Sequence, residues 1–361
     1  MHSKIVRRID GESGVFSKLA SELSPSDLQS LLLGVYQTRA GKLDEADIMA
    51  RARQSPLFAA STIDARLLSR FDRHAFACAE GFDAMDLAPV CPFGTTSVLG
   101  GIDQNNVLTA IRNADVLGDS TPALALECTQ RRKNPEDRNA VIRLVASHRV
   151  LRLQPFDKPG FTPHFRLFAL ATAGRDIGSD RFEIDSLREH IRFYLRLFRA
   201  LNEDGFAIEN PLVEISDVAL TRILLKDLGV ADDLRDVIRA HRSGAAAQFL
   251  KERNITLPSD LIDPSTLNNR RLKAVKFEVC DRLFEEFPEA TFRFNLARLE
   301  GIGYYSGLCL RISPVASDRG RYAVADGGFV DWTARLLQDR KERLLTSGIG
   351  SEFVCRAYLK T

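Results

Sequence analysis

No Cys-x-x-Cys pair occurs among the six cysteines of this chain; Cys78, Cys91, Cys128, Cys280, Cys309 and Cys355 are scattered, with no metal-ligand spacing to a histidine. A zinc ribbon and a disulfide framework are thereby excluded, and reduced, mostly buried thiols are expected. His74, His148, His164 and His190 share no helix face with acidic residues, so no metal site is expected of them either. Charge of one sign is also lacking. Fifty Lys and Arg stand against 48 Asp and Glu, a formal net charge of +2, which gives no general attraction to nucleic acid or to an anionic membrane. No apolar run approaches the roughly 18 residues of a membrane span. The start, Met1-His2-Ser3-Lys4-Ile5-Val6-Arg7-Arg8, passes into Ile9-Asp10-Gly11-Glu12 without the apolar core of a leader. A cytoplasmic location is the expectation.

What is present suffices for a large core: 361 residues, 45% of them hydrophobic. The block up to about residue 72 reads as helical. Ser24-Pro25-Ser26-Asp27 is cap chemistry, and Leu28, Leu31, Leu32 and Val35 follow at the i, i+3, i+4, i+7 spacing of one helix face. This block is expected to be an N-terminal extension packed on the rest. Short apolar runs broken by Pro and Gly then take over, among them Leu87-Ala88-Pro89-Val90, Ala123-Leu124-Ala125-Leu126, Val141-Ile142-Arg143-Leu144-Val145 and Phe165-Arg166-Leu167-Phe168-Ala169-Leu170. Runs of that length between turn formers predict strands.

Asp185 or Ser186 is expected to cap a long helix through Ala200, with Leu187, Ile191, Tyr194, Leu195 and Phe198 on one face. From Asp217 to Phe287 the pattern is almost wholly helical. Strands return at Phe292–Leu296 and Leu308–Ile312, and a last helix is expected from Asp331 to Leu345, before Gly348-Ile349-Gly350. The predicted class is α+β: an antiparallel sheet flanked by helices, divided into an N-terminal helical extension (1–72), a first sheet part (73–215), a helical insertion (216–290) and a second sheet part (291–361).

Two segments carry candidate chemistry. Glu127-Cys128-Thr129 closes a predicted strand, and a carboxylate beside a hydroxyl suits a ligand ammonium. Tyr304 and Tyr305, within Gly301-Ile302-Gly303-Tyr304-Tyr305-Ser306-Gly307, offer aromatic walls with polar tips. The polar stretches Ile102–Asn106 and Arg112–Asp115 suit a pocket or a subunit interface equally, and Trp332 reads as a packing residue.

The order of these pieces resembles the histidyl-tRNA synthetase catalytic domain, of the class II aminoacyl-tRNA synthetase superfamily, over roughly residues 80 to 361. The pieces are Ala88-Pro89 in the first motif, Glu127 and Thr129 for the Glu-x-Thr strand end, Arg152 with Arg166 in the second motif, the helical insertion, Tyr304-Tyr305, Gly327-Gly328 and Gly348-Ile349-Gly350. The resemblance implies a class II synthetase-like sheet, a homodimer through the first motif, and amino-acid binding by Glu127, Thr129, Tyr304 and Tyr305. It implies ATP, with Mg, as the cofactor, its phosphates contacted by Arg152 and Arg166 on two strands joined by the loop Pro155–Pro163. A guanidinium fork suits that task.

Departures from the family are as informative. Its Arg-Gly-Leu-Asp-Tyr-Tyr segment reads Glu300-Gly301-Ile302-Gly303-Tyr304-Tyr305 here, and its third-motif Gly-x-Glu-Arg reads Gly350-Ser351-Glu352-Phe353, with Arg356 just downstream. Two phosphate- or carboxylate-facing arginines have become a glutamate and a phenylalanine, which opposes adenylate formation. Nothing after Thr361 supplies an anticodon-binding domain, so tRNA is not an expected partner. The pattern is similar to the regulatory subunit of ATP phosphoribosyltransferase, a synthetase relative that acts by binding a partner enzyme. The expected function is therefore a paralogue with reduced or lost aminoacylation that binds an amino-acid-like ligand. The alternatives are an ATP-dependent ligase acting on a non-tRNA acceptor, and a scaffold with an empty pocket. No catalytic residue is nameable from the sequence.

Overall fold

The computed structural model describes residues 2–10, 14–137, 139–154, 162–230, 234–242, 245–316 and 318–360. Its strands are β1 (Asp83–Met85), β2 (Val90–Pro92), β3 (Thr109–Ala110), β4 (Ala114–Val116), β5 (Ile142–Leu151), β6 (His164–Arg175), β7 (Glu209–Asp217), β8 (Thr291–Phe294), β9 (Tyr305–Val315), β10 (Ala325–Val330) and β11 (Glu342–Ile349). Eight of them form one sheet in the order β1-β5-β6-β11-β10-β9-β7-β8, and β2-β4-β3 form a small second one. Only the outer pairs β1–β5 and β7–β8 are parallel; the six strands between are antiparallel. The α+β class with a mostly antiparallel sheet, expected from the pattern of short runs, is what the chain adopts.

Period-two alternation gives the sheet two different faces. Val145, Phe168, Leu170, Val213, Ile215 and Leu345 pack with the buried stripe of the helix Arg181–Glu203, which includes Leu187, Ile191, Tyr194 and Phe198. That helix begins at Arg181, four residues before the expected Asp185 cap. On the opposite face Ala169, Ala171 and Ala173 form a strip of small side chains in the second core, with Leu124, Ala125 and Cys128 of the helix Ser120–Arg132. Alanines at these positions let a helix approach the sheet closely.

Three elements differ from the sequence reading; of Leu87–Val90, predicted as a strand, only Val90 lies in one, β2. Ala123–Leu126, predicted as a strand, lies inside the helix Ser120–Arg132. Asp119 caps it by accepting from Thr121 N, and Leu124, Ala125 and Cys128 share its buried face. A four-residue apolar run carries no period that separates strand from helix, and the cap chemistry decides. The helix expected over Asp331–Leu345 spans only Trp332–Leu337. Gln338 takes a left-handed φ of 54° and ends it, and β11 follows between β6 and β10. The N-terminal block is helical, with Ser24 accepting from Asp27 N at 3.1 Å to cap Pro25–Ala40. That helix and Glu45–Gln54 bury none of their residues, whereas Ala65–Cys78 buries Leu68, Phe71 and Ala75.

Between the long helix and the sheet sits a buried polar network. His190 bonds Thr172 Oγ1 at 2.9 Å and Ser347 Oγ at 2.8 Å, and Tyr194 donates to Ser347 Oγ at 2.7 Å. Burial pushes the imidazole down to about 3, so it is neutral near pH 7. Its pKa is lower folded than unfolded, where about 6.5 applies, so the unfolded chain binds the extra proton. The stabilisation is complete above about pH 6.5 and is lost as the pH falls toward 3, at up to about 1.4 kcal/mol per pH unit. Urea unfolding at pH 7, 6 and 5 should show that slope in the parent and a shallower one in His190→Gln. Equal slopes would remove His190 from the account.

Candidate functional site

The described residues enclose a cavity of 650 Å³ on the alanine-strip side of the sheet. Its floor is the end of β10 and β11, where Asp326, Gly327, Thr346 and Gly348 line it; Phe165 and Leu167 of β6 form one wall, Tyr304, Tyr305 and Trp332 another. Small residues keep the floor open. A Cβ on Gly348 would lie 3.2 Å from Leu167 Cδ1, and one on Gly327 would lie 2.5 Å from Thr346 O.

Tyr305 is held by the same device. Its ring lies between Gly301 and Gly328, where an added Cβ would come within 2.2 Å and 2.7 Å of ring carbons, and Gly301 also has a φ of +81°. Any side chain at either position would push the tyrosine into the cavity. The Tyr305 hydroxyl donates to Asp326 Oδ1 at 2.8 Å, and Arg298, 4% exposed, reaches both Asp326 oxygens at 2.7 and 2.8 Å. Burial and the Asp326 carboxylate push the Tyr305 hydroxyl well above its ordinary range, so it remains a donor. Arg298 thus braces the Tyr305 wall from behind, two residues before Glu300.

The second-motif residues divide by strand alternation. Arg152, just past the end of β5, lines the cavity. It donates to Gly118 O at 2.8 Å and Asp119 Oδ2 at 3.0 Å and stands 5.3 Å from the centre of the Phe165 ring. Arg166 falls between Phe165 and Leu167 and points to the other face. There it pairs with Asp72 at 2.9 Å and donates to Ser147 Oγ at 3.0 Å, while burial raises the Asp72 carboxyl. Of the two expected phosphate contacts, the structure brings Arg152 to the cavity and not Arg166. Residues 155–161 of the expected loop lie outside the described residues.

Glu127 and Thr129 also lie elsewhere. On the helix rather than at a strand end, Glu127 pairs with Arg131 at 3.0 Å, and Thr129 Oγ1 bonds Ala125 O at 2.7 Å. The acidic-x-threonine pattern that reaches the cavity is Asp119-Ser120-Thr121, eight residues earlier. Asp119 Oδ1 accepts from both the backbone and the hydroxyl of Thr121 at 2.9 Å, and both residues line the cavity. The signal was readable: Asp-Ser-Thr-Pro is a helix start, and the sequence reading had no helix there. Tyr304 and Tyr305 stand together in the wall, ring centres 4.3 Å apart. Trp332, read as packing, is 3% exposed and lines the cavity, its Nε1 without a hydrogen-bond partner among the described residues.

The third-motif end is formed by the helix Ser351–Ala357. Glu352 accepts from Ser61 Oγ and from Arg166 N at 3.0 Å and pairs with Arg149 at 3.1 Å. Phe353 packs edge-on against Tyr322 at 5.6 Å, and Arg356, one helical turn on, also lines the cavity. Every lining carboxylate, Asp119, Asp326 and Glu352, already has an arginine partner. A divalent cation would have to displace one, so the residues present fit Mg poorly. Among the described residues no helix is long and apolar enough to cross a membrane, and no cluster of His, Cys, Asp and Glu could hold a metal ion.

The sequence matches no protein-family model and no curated protein. Solved structures do match. An ATP phosphoribosyltransferase regulatory subunit/histidyl-tRNA synthetase from Bacillus halodurans is similar over 84% of this chain and 82% of its own, at 15% identity and a TM-score of 0.63. Histidyl-tRNA synthetase from Nostoc sp. is similar over 84% and 76%, at 15% identity and 0.59. The ATP phosphoribosyl transferase complex from Thermotoga maritima contains a chain similar over 80% of this one and 98% of its own, at 16% identity and 0.52. The chain therefore has the class II synthetase-like fold of the histidyl-tRNA synthetase type.

Proposed function

We propose that the chain is a histidyl-tRNA synthetase paralogue with reduced or lost aminoacylation, which binds an amino acid or related small ligand in the cavity. In this reading it acts as the regulatory subunit of a partner enzyme, as the ATP phosphoribosyltransferase regulatory subunit does. The observation that carries the reading is the chemistry of the cavity wall. Tyr304, Trp332, Phe165 and Leu167 supply apolar area, and Arg152 and Asp119 supply a fixed polar edge. Phe353 stands where a synthetase has the cation for its phosphate tail. The fold shared with a chain of a phosphoribosyl transferase complex supports the regulatory role.

Thermal unfolding of the full chain with each amino acid in turn tests the reading. A true ligand at 100 times its dissociation constant should add about 2.7 kcal/mol of stability, and Arg152→Met should remove most of the gain. No response to any amino acid or small carboxylate would overturn the reading and leave a scaffold. The homodimer is part of the same proposal, formed around Ala88-Pro89, where Val90, Phe93 and Val98 are exposed. Light scattering at micromolar concentration should give twice the chain mass.

A second reading, an ATP-dependent ligase acting on a non-tRNA acceptor, is favoured by one observation. Two arginines, Arg152 and Arg356, line the cavity. Such an enzyme would hold nucleotide phosphates between them.

A further inference from the structure

The segment joining the N-terminal helices to the helix Ala65–Cys78 packs beside the third-motif end of the cavity and bonds two residues of its wall. Ala59 O accepts from His164 Nε2 at 2.7 Å, Ser61 Oγ donates to Glu352, and Thr62 Oγ1 accepts from Arg356 Nη2 at 3.4 Å. Arg149 Nη1 lies 3.0 Å from His164 Nδ1. Arginine can only donate, so Nδ1 accepts and Nε2 carries the proton that Ala59 receives. The anchor residues Glu352 and Arg356 are themselves in the cavity wall.

The charges in that wall are unevenly satisfied. The three lining carboxylates each have an arginine, and Arg152 has Asp119. Arg356 has no carboxylate partner among the described residues; its one hydrogen bond is the long contact to a neutral threonine hydroxyl. A guanidinium held so weakly at a cavity rim is open to exchange. A phosphate or carboxylate offers it shorter and stronger charge-assisted bonds.

We infer that residues 59–62 form a strap that holds Arg356 at the edge of the cavity in the free protein, and that an anionic ligand group, phosphate or carboxylate, takes Arg356 from Thr62 and frees the strap. The inference rests on the cavity being a ligand site. Its consequence lies outside the cavity. The helices Pro25–Ala40 and Glu45–Gln54 bury none of their residues, so their position depends heavily on where the strap sits, and ligand binding is thereby transmitted to the N-terminal extension.

Limited proteolysis of the full chain by elastase, which cuts after small residues such as Ala59 and Ala60, tests this, with inorganic pyrophosphate and citrate as the two anion probes against potassium chloride at matched ionic strength. One or both anions should speed cleavage within residues 59–62 about tenfold or more, with no response in Arg356→Met. Ser61→Ala should be cut fast there without any anion, because its anchor to Glu352 is gone. A response to pyrophosphate alone assigns phosphate, and to citrate alone carboxylate. Three results would overturn the inference: no response to either anion, an equal response in Arg356→Met, or a strap in Ser61→Ala as protected as in the parent. If amino acids still stabilise the protein through Arg152, such a failure rejects the strap alone. Loss of both responses rejects the cavity as a ligand site.

Discussion

Glu342→Ala should cost about 3–5 kcal/mol, the usual penalty for leaving a buried charge without its partner. Arg132 ends the helix that carries Asp119 and Thr121 at its other end, and its side chain is fully buried, as is all but 3% of Glu342. Arg132 Nε donates to Glu342 Oε2, Nη2 donates to Oε1 at 2.9 Å, and Nη1 donates to Ala140 O at 2.6 Å. Arg175, the cross-strand partner of Glu342, adds a contact at 3.4 Å and reaches Asp339 at 2.7 Å. With Glu342 removed, Arg132 cannot turn to water without dislodging the helix from β6 and β11. Urea unfolding should show a lower midpoint with an unchanged slope. Arg132→Met with Glu342→Leu should recover most of the loss, because the pair is then replaced rather than broken. A cost below about 1 kcal/mol for Glu342→Ala would mean that the pair is hydrated after all.

The sheet, the long helix and the run of helices between Val218 and Glu286 were legible because each carries a sustained period. Phe168 and Leu170 alternate with Ala169 and Ala171, and the stripe from Leu187 to Phe198 repeats at helical spacing. The site was legible only in part. Tyr304, Tyr305 and Arg152 could be named since a short motif fixes them locally, and they do meet in one cavity. Arg166 was misplaced for want of a phase: one residue along β6 decides whether a side chain faces the cavity or Asp72. Glu127 and Thr129 were misplaced through the strand assigned to a capped helix. Arg298 came from neither motif nor period, and Arg356 was noted only as lying just downstream of the third motif. They act from two residues before Glu300 and three residues after Phe353, a displacement that only the turn at Gly301 and the helix at Ser351–Ala357 reveal.

Amino-acid-dependent exchange of pyrophosphate into ATP should be at background for the unmodified protein, and this result separates the regulatory reading from the ligase. Adenylate formation develops negative charge that fixed cations must meet, and each missing contact costs about 10² to 10³ in rate. Phe353 leaves the third-motif position apolar, packed on Tyr322. Glu300 does not line the cavity; it faces Arg311 at 3.6 Å, so Glu300→Arg would set two guanidiniums together instead of restoring a phosphate contact. The informative variant is therefore Phe353→Arg alone. A new charge-assisted contact of about 1.5–3 kcal/mol should tighten ATP binding roughly ten- to a hundredfold by calorimetry, with exchange still slow because the cation missing at position 300 is not restored. Combining Phe353→Arg with Ser61→Ala should bind ATP more tightly still, since the phosphates then reach Arg356 without having to displace an anchored strap. Vigorous exchange by the unmodified chain would reject the regulatory account and make the protein a ligase, with Arg152 and Arg356 the first residues to replace in search of its phosphate contacts.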